Sequence, residues 1–179
     1  EKISSGRNEK MKIYYREKSG GIEILRCFGI EGRVEIPGMI DGKLVISAAP
    51  YAFSSHMDEK EDLKNASLWE VSDGLEFGRE EHVLAGNDVE EIVFPYTLKE
   101  IGRYIFYGCG NLKKLEFSDS LMQIGCGAFT GCHALEKLTV HMRQGKKSGV
   151  KEMLGEMWQR IDVNFLYEYE ERCFQRNLL

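Results

Sequence analysis

No stretch of this chain approaches the roughly 20 consecutive apolar residues that a membrane-spanning helix needs. No basic segment followed by an apolar one stands at the start, so no export signal is visible. G-x-S-x-G, H-E-x-x-H, Walker-type and G-x-G-x-x-G sequences are all missing. Their absence removes the common signatures of acyl transfer, zinc hydrolysis and nucleotide binding. No D-x-D-x-D-G run offers calcium its usual carboxylate spacing. Positive charge is short as well: the net charge is -5, which argues against nucleic acid as a partner. Cysteine is present but odd in number, at Cys27, Cys109, Cys126, Cys132 and Cys173. Five thiols cannot all pair within one chain, so they read as free, packed cysteines of a reducing compartment.

What remains is 179 residues, 42% hydrophobic and 30% charged, enough for one soluble and elongated domain. The acidity is local. Between His56 and His82 nine acidic residues face three basic ones, a net of -6 that accounts for the whole chain's acidity. The opposite patch is small and comprises Arg143, Lys146, Lys147 and Lys151.

The informative feature is a repeat. "LKEIGRYIFYGCGNLKKLEF" begins at Leu98, and "LMQIGCGAFTGCHALEKLTV" begins at Leu121. Ile101 matches Ile124, Gly102 matches Gly125, Phe106 matches Phe129, Cys109 matches Cys132, and Leu115 matches Leu138, always 23 residues apart. A period of 20 to 29 is the range of leucine-rich repeats. Both copies end in L-x-x-L-x-(F/V), a short alternating strand. Alternation turns Leu115 and Phe117 inward, and Lys114, Glu116 and Ser118 outward. One such strand per turn stacks into a parallel sheet, and the glycine-rich I-G-x-x-x-F-x-G-C segment returns behind it through tight left-handed turns.

Counting by 23 in both directions proposes five ladder strands, centred on Trp69, Ile92, Leu115, Leu138 and Ile161. The last return departs from the pattern. Val150, Met153, Leu154, Met157 and Trp158 stand at helical spacing behind Ser148, a suitable N-cap, so a helix is expected to cover the open end there. "YAF" at 51–53 matches "YIF" and "GAF", but Phe53 precedes Phe106 by two periods plus seven residues. The surplus falls in the acidic segment, expected as a short helix or loop. "VEIPGMIDGKLV" is about five residues longer than "VFPYTLKEI", with turns at Pro37-Gly38 and Asp41-Gly42. "KIYYREKSGGIEILRCF" reads as a β-hairpin at the N-terminal end. The expected organisation is a hairpin cap over 1–33, repeats over 34–140 with an irregular insertion at 54–68, and a helix-plus-strand cap over 141–179.

These residues resemble the BspA-like bacterial leucine-rich-repeat family of surface-antigen type. The two 23-residue copies carry the resemblance, together with "VEIPGMIDGKLVISAAPYAF", which looks like the family's first repeat. Segment 54–88 and the region after His141 depart from the pattern. The resemblance implies a leucine-rich-repeat solenoid, α/β or mostly β, with a parallel sheet on one face and irregular turns plus a short helix on the other. It further implies a non-catalytic protein-recognition scaffold without cofactor or metal, and it names no partner. A bacterial surface adhesin is the alternative. The missing export signal, the odd cysteine count and a reading of Met11 as the natural start favour the bacterial cytoplasm, with a secreted or cell-surface location left open.

Alternation selects the outward residues of the sheet as the partner-binding face: Glu91, Val93, Lys114, Glu116, Lys137, Thr139 and His141. Their charges alternate, which suits a protein surface better than an anion groove. Chemistry elsewhere is weak. Cys132 and His133 are adjacent and so point different ways, a poor nucleophile–base pair. Cys109 and Cys132 stack one period apart as small hydrophobes, and with His133 they lack C-x-x-C metal spacing; a stacked column of His56, Cys109 and Cys132 is interrupted by a turn with Gly86 at that position. Trp69 and Trp158 are expected to pack.

Overall fold

A computed structural model describes residues 10–72, 80–145 and 149–168. Lys146, Lys147, Ser148 and Cys173 lie outside the described residues. The described chain opens with β1 (Lys10–Lys18) and β2 (Gly21–Gly29), which pair antiparallel. Next come β3 (Arg33–Glu35), β4 (Met39–Ile40) and β5 (Lys43–Ala48). β4 and β5 form a small hairpin in which Asp41 and Gly42 both take positive φ, 49° and 77°, as a tight two-residue turn demands. After α1 (Glu59–Asp62) follow β6 (Ser67–Ser72) and β7 (His82–Val83). The repeats supply β8 (Glu91–Val93), β9 (Glu100–Ile101), β10 (Lys114–Ser118), β11 (Gln123–Ile124) and β12 (Lys137–Arg143). Then come α2 (Val150–Leu154), a 3-10 turn over Gly155–Gln159, and β13 (Asp162–Glu168).

Two ladders enclose the core. One is wholly parallel, in the order β13-β12-β10-β8-β3. Its register repeats the sequence period: Ile92 sits opposite Leu115, and Leu115 opposite Leu138. The inward residues Val34, Ile92, Leu115, Phe117, Leu138 and Val140 are at most 1% exposed. Behind it β2, β5, β9 and β11 pair parallel, and β1 and then β6 extend that sheet antiparallel. Phe53, Phe106 and Phe129 stack between the ladders with ring centroids 6.1 and 5.7 Å apart. Successive returns also bond to each other, Phe53 N to Ile105 O at 3.0 Å and Phe106 N to Ala128 O at 3.1 Å.

The glycines divide into two roles. Gly108 and Gly131 take φ of 76° and 82°, the left-handed turns expected of them. Gly102 and Gly125 serve instead for close approach. A Cβ on Gly102 would stand 2.4 Å from Pro50 N, and one on Gly125 would stand 2.2 Å from Arg103 N. Only a residue without a side chain lets one return lie on the backbone of the previous one.

Two ladder positions differ from the 23-residue count. Trp69 is not on the parallel ladder: β6 pairs antiparallel with β1, placing Trp69 opposite Ile13. The place before β8 is taken by β3, with Val34 opposite Ile92, so β6 falls to the free edge of the hairpin. At the other end Leu138 faces Val163 rather than Ile161. The helical return between β12 and β13 is two residues longer than the glycine-rich ones, and it shifts the last rung by that amount. The expected helix does form. Val150 and Leu154 are buried, and α2 lies against β11, the last strand of its sheet. Its N-cap is Gly149, with no side-chain bond.

Candidate binding face

Three outward rows run across the parallel ladder. The first is Arg33, Glu91, Lys114, Lys137 and Asp162, in register from β3 to β13. The second is Glu35, Val93, Glu116, Thr139 and Asn164. Ser118, His141 and Leu166 make the third. Lys114, Lys137 and Asp162 are exposed, whereas Glu91, Val93, Glu116 and Thr139 are half-buried by their neighbours. The sheet therefore brings all seven sequence-selected residues onto one face. Arg33, Glu35, Asp162 and Asn164 belong to it too. Sequence reasoning missed both pairs: the alternation of "RVEI" is the signal that would have found the first, and the shifted last rung concealed the second.

His141 and Ser118 hold their places on the face but are covered. His141 is 8% exposed and Ser118 1%. Tyr96, just past the end of β8, folds back over them. Its hydroxyl lies 3.1 Å from His141 Nδ1, and its carbonyl accepts from the Ser118 hydroxyl at 2.9 Å. The other ring nitrogen, Nε2, bonds Glu116 Oε1. A carboxylate can only accept, so Nε2 carries a proton there. This bond from His141 is the main reason that the Glu116 carboxyl is held below its ordinary range, with Arg33 and Lys137 adding and burial opposing. One step further along, the buried Asp119 accepts from Arg143 N at 2.9 Å and from its Nε at 3.3 Å. Tyr96 lies outside the alternating strand pattern, so sequence spacing gave no sign of it.

The remaining charges of the first two rows are unevenly matched. Arg33 reaches Glu35 at 3.2 Å and Glu91 at 3.5 Å. Lys114 and Lys137, side by side in register, have no ion-pair partner among the described residues.

Cys109 and Cys132 lie in the packing between returns, whereas Cys126 is exposed, contrary to the expectation of packed cysteines. Cys109 Sγ donates to Phe53 O at 3.1 Å, and Cys132 Sγ to Phe106 O at 3.3 Å. Burial pushes both, and the buried Cys27, up to about 12. A thiol held protonated is a poor nucleophile. His133 is exposed, and the His56 ring sits 4.7 Å from Tyr107, edge on. Among the described residues neither imidazole is bonded to a thiol. Trp69 is half-buried against the core, and the Trp158 side chain lies outside the described residues.

Stacked rungs of one period, lined by leucine and phenylalanine, define a repeat protein built on a parallel sheet, with mostly strands and few helices. The family model of the BspA type leucine rich repeat region matches residues 80–177 in six copies, and the chain belongs to that family. The match begins after the opening rung, although β3 pairs in the same ladder. No curated protein matches the chain. Among solved structures it is similar to a leucine rich cell surface protein from Faecalibacterium prausnitzii, at 18% identity and a TM-score of 0.45, covering 73% of this chain and 30% of that one. It is also similar to the T. pallidum leucine rich repeat protein, at 22% identity and a TM-score of 0.36, covering 87% of this chain and 80% of that one.

Proposed function

We propose that this chain is a short leucine-rich-repeat solenoid that recognises a protein partner through its exposed sheet face, without catalysis. Its division into a hairpin cap, a run of repeats and a helix-plus-strand end cap belongs to the same proposal. The observation that carries it is the contrast across one ladder. β3, β8, β10 and β12 bury their inner residues almost completely, while their outer residues form two continuous rows of mainly polar and charged side chains. A face held by backbone bonds on every rung changes shape little on binding, which suits recognition at low ordering cost. The positions of Cys27, Cys109 and Cys132 support the non-catalytic part, since these three thiols are committed to packing. The same face would serve inside a cell or on its surface.

The test is site-specific photocrosslinking in cell extract. A photoreactive residue at Val93 or Thr139 should yield a discrete protein adduct, and one at Arg103 or His133, on the return side, should not. Adducts arising only from the return positions would show that the sheet face is the wrong surface. Glu116 is a poor site for such a probe, because removing its carboxylate disturbs His141.

A further inference from the structure

Strands at the ends of the sheets are protected unequally. β3 ends the parallel ladder after three residues and carries Arg33 and Glu35. β11, at one end of the other sheet, is two residues long and lies against α2. Short, charged or covered edges of this kind resist pairing with another chain. β6, at the opposite end of that second sheet, has little such protection. It runs six residues, Ser67–Ser72, without proline or lysine. Its one charge, Glu70, is drawn back to Lys12 of β1 at 3.7 Å. Trp69 and Val71 share the inner face with Ile13 and Met11, their partners on β1. Ile13 and Met11 are at most 3% exposed, yet Val71 is 37% exposed and Trp69 only half-buried. Leu68, on the outer face, is 43% exposed. The backbone of this edge is open as well. Leu84 N donates to Cys27 O at 2.9 Å, so Cys27 turns toward β7 and Phe28 toward β1. Lys12, opposite Phe28, then faces β2, and Met11 and Ile13 face β6. Val71 and Trp69 bond to them, which leaves the N–H and C=O of Leu68 and Glu70 turned outward.

We propose that a second copy of this chain seats on β6, the two β6 strands pairing antiparallel about a two-fold axis at Trp69. Such an axis sets one residue opposite itself, and charge and backbone choose which. An axis at Glu70 would face two carboxylates. An axis at Leu68 would pair Val71 with Asn65, whose φ of 62° breaks the extended chain. An axis at Trp69 keeps Ser67 to Val71 of both copies in strand. Leu68 then stands opposite Glu70 of the second copy, and their open backbone groups exchange bonds on both sides of the axis. The two Trp69 side chains meet at a non-hydrogen-bonded position, where Cα atoms lie about 4.5 Å apart and cross-strand aromatic pairs come closest. The second copy thus supplies what the inner face lacks, an apolar cover for Trp69 and Val71, and sets no like charges opposite each other. This pairing closes on itself and uses no residue of the parallel ladder. One strand pair makes a small interface, so the association is weak and concentration-dependent.

The test is sedimentation velocity of the full chain from micromolar to millimolar concentration. The parent should pass reversibly from monomer to dimer. Leu68→Glu sets a carboxylate against Glu70 of the second copy at two symmetric places, and should raise Kd roughly tenfold. Leu68→Lys sets an ammonium there and should lower Kd. Leu68 is exposed, so thermal unfolding of both variants in dilute, monomeric samples should match the parent, which separates loss of pairing from loss of fold. In circular dichroism an exciton couplet between the two Trp69 indoles should grow with the dimer fraction and be lost in Trp69→Phe. A parent that stays monomeric at every concentration would overturn the proposal and leave the edge to a strand of another protein. Equal weakening by both Leu68 variants, the mark of apolar contact without register, would also overturn it, as would growth beyond the dimer.

Discussion

Phe106 is fully buried, with the Phe53 and Phe129 rings on either side. Truncating it removes a large side chain from a stack that cannot collapse, because the returns are pinned by their own backbone bonds. Phe106→Ala is expected to cost on the order of 3–5 kcal/mol in chemical denaturation. Phe129 is only half-buried, so Phe129→Ala is expected to cost less. Equality of the two would contradict the packing described. Glu116 gives a second measurement. Its carboxyl is depressed in the folded chain, so it binds a proton more weakly there than in the unfolded chain. Its stabilisation is present above the ordinary carboxylate range and is lost as pH falls through the depressed folded value. Stability measured from pH 7 down to pH 3 should therefore fall less steeply in Glu116→Gln than in the parent. At this scale the sequence was readable wherever a side chain recurred. Phe106, Cys109 and Leu115 could be assigned by their partners 23 residues on. The burial of His141 could not, because it depends on Tyr96, which belongs to no repeated position.

Among elements, the N-terminal hairpin and the first return are joined by Arg26. Arg26 is 2% exposed, and its Nη1 donates to the carbonyls of Tyr51, Ala52 and Ser54 at 3.3, 3.2 and 2.6 Å. Its other nitrogens meet Glu59 of α1 at 3.0 Å. One side chain thus links β2, the turn after β5 and α1 of the acidic insertion. Each buried carbonyl left without a donor costs roughly 1–3 kcal/mol. Arg26→Met is expected to lose at least about 2 kcal/mol, against little change for the exposed Lys43→Met. Thermal unfolding of the two variants side by side checks this. No alternation rule could reveal Arg26. The register of β1 with β2 shifts between Tyr14 and Tyr15, so that Leu25 is an extra residue and four consecutive residues, Ile24 to Cys27, are all buried. Likewise the count that put Trp69 on the ladder used spacing alone. Spacing says that a strand is due, but not which edge is vacant.

For the whole molecule, stability should be graded along the stack. β10 is paired on both sides, whereas β13 and β3 end the parallel ladder and β6 ends the other sheet. Native-state hydrogen exchange should find the slowest amides in β10 and β12, and faster exchange in β6 and β13. Uniform protection across all of these strands would mean that the rungs open only together.

A stack of like rungs also faces a problem of counting. Because one 23-residue turn resembles the next, a strand could settle one place too early and still bury its leucines. The β4–β5 arm makes such an error visible to the fold. It exists in one rung only, and Thr97 of the neighbouring return fastens to it by donating to Val45 O at 2.6 Å. A rung that slipped past would forfeit that bond. The least regular part of the repeat thereby serves as its address, telling the other rungs where the first one stands.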